Sequence, residues 1–124
     1  MSGDRALQVV VVDDSDDQRE LLRTQFARAG CDVSTAVDSF EAERLVRAER
    51  FDIAVIDLLF PGVDGWAIAE RIRELSPTTD IVIASVLDQS DYPKADGVLP
   101  KPFTGAEVKR LVSTLATRRE GEAS

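Results

Sequence analysis

Many apolar residues in this chain stand in short runs that are rich in Val and Ile. Five β-strands are predicted, over residues 7–12, 31–36, 53–57, 81–85 and 97–100, of which the segment 31–36 has the weakest apolar pattern. Most of them are continuous rather than alternating, which is typical of strands that are covered on both faces of a parallel sheet.

Between the strands, apolar residues recur at helical spacing. Helices are predicted after Ser15, Asp38 and Thr104 and over residues 66–75. The three capping residues are each followed, three positions later, by a Gln or Glu, which is the spacing of a capping box. Residues 60–65 are rich in Pro and Gly and are predicted as a loop.

The alternation of strands and helices predicts an α/β fold, in which a parallel sheet has helices on both faces. We expect a single domain over residues 1–124, with a core at about 6–117 and a polar tail at 118–124. Right-handed crossovers bring the carboxyl ends of all strands to one edge of such a sheet. Ligands of these folds bind at that edge.

The composition and the net charge exclude several classes of function. The 124 residues are 44% hydrophobic and 31% charged, as in soluble globular proteins, and their net charge of −8 argues against binding to nucleic acid or to an anionic membrane. The single Cys31 and the lack of His exclude a disulfide framework, an imidazole metal site and Ser-His catalysis. No run is apolar and long enough to span a membrane, and the first residues lack a signal core, so we expect a cytoplasmic protein.

Chemically active side chains stand at the ends of the predicted strands. They are Asp13 and Asp14 after the first, Asp57 at the end of the third, Ser85 at the end of the fourth and Lys101 after the fifth. Any one of them alone has an ordinary structural explanation, such as an acidic residue at a helix start. Together at one edge, the three carboxylates would repel one another, and their oxygens favour Mg²⁺ as the compensating ion. A phosphoryl group on Asp57 would then lie between the cation, the ammonium and the hydroxyl.

Four motifs place these residues in a known pattern. They are Val-Val-Asp13-Asp14, Asp57-Leu-Leu-Phe-Pro61-Gly62, Ile-Ala-Ser85 and Lys101-Pro102-Phe103. With them, the chain resembles the receiver domain of two-component response regulators over nearly its whole length. The resemblance implies a doubly wound, flavodoxin-like sheet of five parallel strands in the order 2-1-3-4-5. It also implies that a sensor histidine kinase or phosphotransfer protein donates a phosphoryl group, and that a changed surface signals to a downstream protein.

The resemblance assigns a role to each residue at the strand ends. The Mg²⁺ ligands that it implies are Asp13, Asp14, Asp57 and the backbone carbonyl of Leu59. Asp57 would be the phosphoacceptor, and Lys101 and Ser85 would contact its phosphoryl group. The bond between Lys101 and Pro102 is expected to be cis.

Two features depart from the family pattern. Val98 stands three positions before Lys101, where the family usually has an aromatic residue that moves together with the hydroxyl. Residues 86–96 must contain two connections and include Pro93, which leaves room for only one or two helical turns. We therefore expect a short or missing fourth helix.

Three other functions are alternatives to a phosphoacceptor receiver. A phosphorylation-independent scaffold of the same fold remains open. A Mg²⁺-dependent aspartyl phosphohydrolase would need a carboxylate two residues after its nucleophile, where this chain has Leu59. A flavin-binding domain would need a phosphate loop after the first strand, where residues 13–17 are mostly acidic. We expect no enzyme beyond self-phosphorylation and self-dephosphorylation, and the sequence leaves open whether the domain is part of a longer chain.

Overall fold

The computed structural model describes residues 6–57, 59–60, 63–86 and 94–123. The strands in chain order are β1 (Gln8–Val12), β2 (Asp32–Ala36), β3 (Ile53–Asp57), β4 (Leu59–Phe60), β5 (Val63–Asp64), β6 (Asp80–Ser85) and β7 (Gly97–Pro100). The main sheet has the order β2-β1-β3-β6-β7 and all its pairings are parallel. Counted along the chain, its strands therefore lie in the expected order 2-1-3-4-5.

Helices cover both faces of this sheet. They are α1 (Asp16–Arg28), α2 (Ser39–Ala48), α3 (Gly65–Leu75) and α4 (Gly105–Ala123). Alternate residues of the central strand β1 belong to two buried apolar clusters. Val10 and Val12 pack in the cluster that contains α2 and α3, whereas Val9 and Val11 pack in the cluster that contains α1 and α4. The continuous apolar runs of the sequence thus reflect burial on both faces.

The predicted capping residues begin three of the helices. The Ser15 hydroxyl accepts a hydrogen bond from the Gln18 N–H at 3.4 Å, and Asp38 Oδ1 accepts one from the Glu41 N–H at 2.8 Å. Before α4 the capping box is complete. The Thr104 hydroxyl accepts from the Glu107 N–H at 3.2 Å, and the Glu107 carboxylate accepts from the Thr104 N–H at 3.1 Å.

One local prediction was wrong. The predicted loop over residues 60–65 contains a short antiparallel pairing of β4 with β5, and α3 already begins at Gly65. The expected polar tail is helical over residues 118–123, as the last part of α4. Residues 118, 120 and 121 are exposed, whereas Arg119 is half-buried and bonds Asp52 and Asp80 at the opposite end of the sheet from Asp57.

The expected short fourth helix falls mainly on residues 87–93, which lie outside the described part of the chain. Val86 and residues 94–96, on either side of them, are not helical. Val98 is partly exposed on β7, an edge strand of the sheet. Among the helices that are described, none combines the length and the apolar character that crossing a membrane requires.

Candidate functional site

The sheet brings the predicted site residues to its carboxyl edge. Asp13 directly follows β1, Asp57 ends β3, Ser85 ends β6 and Lys101 directly follows β7. The strand register sets their depths, because Asp57 pairs with Ala84 and therefore lies one position below Ser85. Asp57 and Ser85 are both buried.

The Lys101 ammonium lies directly against Asp57. Its Nζ donates a hydrogen bond to Asp57 Oδ2 at 2.8 Å, and both side chains are largely buried. The Lys101 backbone is fixed as well, since its N–H donates to the Ser85 carbonyl at 2.9 Å. The bond between Lys101 and Pro102 is cis, as the resemblance implies. The backbone after the edge strand β7 therefore places the Lys101 ammonium next to the carboxylate at the end of the central strand β3.

Asp13 is the most buried of the acidic residues at this edge, with 1% of its surface exposed. Its N–H donates to the Ala36 carbonyl at 3.1 Å, and its Oδ1 accepts from the Ser15 N–H at 2.9 Å. With the carboxylates ionised, the buried Oδ2 of Asp13 has no hydrogen-bond partner in the part of the chain that the structure describes. A buried carboxylate oxygen without a donor is costly, which marks a place for a cation.

The surroundings of Asp13 favour its neutral form when no cation is bound. Burial is the largest cause and raises the pKa of Asp13 to about 6. The Ser15 N–H lowers this pKa, the Asp57 carboxylate raises it by repulsion and by sharing a proton, and Lys101 lowers it by its charge. The single ammonium therefore does not compensate for two buried carboxylates.

The donors suit a hard divalent cation, but the protein does not hold a complete set of them ready. Asp14 is exposed, and the Leu59 backbone is part of the β4–β5 pairing. Within the described residues, no three acidic side chains form a group that could hold a metal ion unaided. The buried Asp13 oxygen and the Asp57 carboxylate fit Mg²⁺, which commonly keeps several waters and takes one or two carboxylates.

Arg19, which belongs to none of the sequence motifs, also contacts this site. Its guanidinium donates from Nη1 to the Asp13 backbone carbonyl at 3.0 Å and from Nη2 to Asp16 Oδ1. The three-residue spacing from Asp16 to Arg19 is that of an ordinary surface ion pair on a helix and carries no signal of a site. The contact with the Asp13 carbonyl depends on how α1 leaves the sheet, which the spacing does not show.

The fold and this edge define a doubly wound α/β protein in which a lysine contacts one of two buried carboxylates at the carboxyl edge of the sheet. The model of the response regulator receiver domain matches residues 9–113, and the chain belongs to that family. It is thus a receiver domain of the kind found in two-component response regulators.

Similar proteins are regulators of transcription. The chain is 35% identical to the transcriptional regulatory protein CseB of Streptomyces avermitilis, over 94% of its own length and 51% of CseB. It is 30% identical to the alkaline phosphatase synthesis transcriptional regulatory protein PhoP of Bacillus subtilis, over 90% of its length and 49% of PhoP. The chain therefore spans about half the length of the curated relatives that it matches.

A solved structure shares the architecture. The response regulator TrrA of Thermotoga maritima, determined in complex with Mg²⁺-BeF, has 28% sequence identity and a TM-score of 0.79. The match covers 88% of this chain and 98% of the TrrA chain. The likeness therefore extends over most of this chain.

Proposed function

We propose that this receiver domain accepts a phosphoryl group on Asp57 and signals through the resulting change of its surface. The observation that carries the proposal is the 2.8 Å bond from Lys101 to the buried Asp57, beside a buried Asp13 oxygen that accepts no hydrogen bond from the described residues. An ion pair kept only for stability would not need a second buried carboxylate next to it. Two buried carboxylates stand against one ammonium here, and a bound cation would supply the positive charge that is missing.

The proposed chemistry is a phosphoryl transfer between two protein side chains. An Asp57 carboxylate oxygen forms a bond to phosphorus, and the bond from phosphorus to the imidazole nitrogen of a phosphohistidine breaks. The second ring nitrogen of the phosphohistidine carries a proton, so the imidazole that keeps the electron pair leaves as a neutral ring. Lys101 then contacts the phosphoryl oxygens in place of the carboxylate, and the Ser85 hydroxyl donates to them.

Mg²⁺ is proposed to bind between Asp13, Asp14 and Asp57, with the Leu59 carbonyl as a further ligand. When bound, it supplies the positive charge that offsets the incoming phosphoryl group. Asp13 contributes the buried oxygen that lacks a donor, and its Ser15 contact keeps the other oxygen in place. TrrA, determined with Mg²⁺-BeF, supports this assignment.

The proposed partners are a sensor histidine kinase or phosphotransfer protein as donor and a protein that reads the phosphorylated surface. Relatives that share half their length with this chain are named as transcriptional regulators. We propose that the domain controls such an output. The domain itself makes no use of nucleic acid in this proposal, since its net charge is −8.

The experiment is phosphorylation by a small phosphodonor, with the added mass located by peptide analysis. Wild-type protein in Mg²⁺ should gain one phosphoryl group on Asp57, and an excess of chelator should prevent it. Asp57→Asn, which keeps the shape but removes the nucleophile, should gain none.

Asp38→Asn is the matched control, since Asp38 caps α2 and does not contact the lysine. It should be phosphorylated like the wild type. If Asp57→Asn gains phosphoryl at the wild-type rate, the phosphoacceptor assignment is wrong.

A further inference from the structure

Arg19 connects the first helix to the backbone of the acidic pair. From the second turn of α1, its guanidinium reaches back to the Asp13 carbonyl at 3.0 Å and also bonds the Asp16 carboxylate. Only 17% of its side chain is exposed, whereas its partner Asp16 is almost fully exposed. Most of the Arg19 side chain is therefore buried, and its guanidinium contacts the Asp13 backbone carbonyl.

That carbonyl belongs to the peptide unit that joins Asp13 to Asp14. It lies one residue beyond β1, so the sheet pairings of β1 do not include it. The Asp13 N–H and Oδ1 are fixed by Ala36 and Ser15. With the Arg19 contact, three polar atoms of Asp13 are held, and the remaining one, Oδ2, is the buried oxygen that has no donor among the residues that the structure describes.

We propose that Arg19 is a positioning residue for the acidic pair. By fixing the peptide unit between Asp13 and Asp14, it sets the direction in which the Asp14 carboxylate leaves the backbone, and it keeps Asp13 Oδ2 directed to the cation. A charge-assisted bond from a planar guanidinium restrains a carbonyl more strongly than a neutral donor does. The inference rests on the proposed Mg²⁺ site and deepens it.

The neighbouring Arg23 separates this role from simple charge or helix stability. Arg23 also lies on α1 and also pairs with an acid three residues earlier, since its guanidinium bonds Glu20 at 2.5 and 2.8 Å. Its side chain is 43% exposed. Arg19→Ala and Arg23→Ala remove the same charge and the same kind of ion pair, but only the first removes a bond to Asp13.

The experiment measures Mg²⁺ binding by titration calorimetry, together with thermal unfolding in chelator. Arg19→Ala should raise the Mg²⁺ dissociation constant about tenfold, the usual scale for loss of a group that orients a metal ligand. Arg23→Ala should bind Mg²⁺ like the wild type. Arg19→Lys keeps a charged donor but cannot bond the Asp13 carbonyl and Asp16 with two nitrogens of one planar group. It should therefore recover part of the Mg²⁺ affinity that Arg19→Ala loses.

Each outcome has one meaning for the proposal. Weaker binding in Arg19→Ala, with a melting temperature in chelator that matches Arg23→Ala, supports positioning. Equal losses of affinity in both alanine variants would show a charge effect and overturn it, as would wild-type affinity in Arg19→Ala. A wild-type protein that does not bind Mg²⁺ at all would instead refute the metal site itself, and this inference with it.

Discussion

At the scale of single residues, the most unusual group is the Asp13 carboxyl. It is buried beside a second carboxylate, and one of its oxygens has no donor among the described residues. Its pKa of about 6 in the folded protein, against an ordinary value of 3.8, means that the native state holds a proton that the unfolded chain releases. Stability contributed by that proton is lost as pH rises through this interval.

Replacing this carboxyl should therefore change the pH dependence of folding. In chelator, Asp13→Asn should be more stable than the wild type at pH 7 by up to about 3 kcal/mol, because the amide carries no charge to desolvate. At pH 4 the difference should be much smaller, since the wild-type Asp13 is then protonated. Urea unfolding at both pH values measures it.

Wild type and Asp13→Asn share all their other titrating groups. The contributions of those groups to the pH dependence therefore largely cancel in the difference between the two free energies of unfolding. Asp17→Asn, at an exposed position of α1, is the control for the loss of one negative charge near this edge. A gain in stability for Asp13→Asn that is the same at both pH values would contradict the raised pKa.

At the scale of elements, the last helix is anchored at both of its ends. The capping box of Thr104 and Glu107 begins α4, and near its other end Arg119 bonds the Asp52 carboxylate at 3.2 Å and Asp80 at 2.9 Å. Burial raises the pKa of Asp80 despite its contact with Arg119. This carboxylate thus depends on the arginine for compensation of its charge.

Arg119→Ala should destabilise the protein by about 1–3 kcal/mol, because it leaves two half-buried carboxylates without their cation. Arg118→Ala is the matched control, since Arg118 is 47% exposed and lies 3.9 Å from Asp96. It should cost less than about 0.5 kcal/mol. Urea unfolding gives both values, and equal losses would argue against an anchoring role of Arg119.

At the scale of the whole molecule, the proposed Mg²⁺ site would link folding to metal binding. A cation that binds the folded state and not the unfolded one stabilises the entire domain. Mg²⁺ at ten times its dissociation constant should therefore raise the free energy of unfolding by about 1.4 kcal/mol. Thermal unfolding with and without Mg²⁺, at matched ionic strength, measures this gain.

Asp14→Ala should abolish the gain, and it should not lower stability in chelator, because the exposed Asp14 side chain adds negative charge to a repulsive cluster. Asp16→Ala, which removes an exposed acid close by on α1, should keep most of the gain. A wild-type melting temperature that does not respond to Mg²⁺ would contradict the link between metal binding and folding.

The sequence determined the layout of the domain and the place of its site. Continuous Val and Ile runs separated by capped helices are enough to specify a parallel sheet, because burial on both faces leaves no other pattern. Since parallel strands share one carboxyl edge, the positions of Asp13, Asp57, Ser85 and Lys101 followed from the ends of their strands. Local signals such as the Ser15 and Thr104 caps acted within a few residues and were confirmed.

Only the tertiary structure decided the contacts between distant parts of the chain. The helical state of residues 118–123 goes with the contacts of Arg119 to Asp52 and Asp80, which are 67 and 39 residues away in sequence. The bond from Arg19 to the Asp13 carbonyl depends on the angle at which α1 leaves the sheet. Likewise, which Asp13 oxygen lacks a donor depends on burial by the whole fold, because desolvation is set by all surrounding atoms and not by neighbours in sequence.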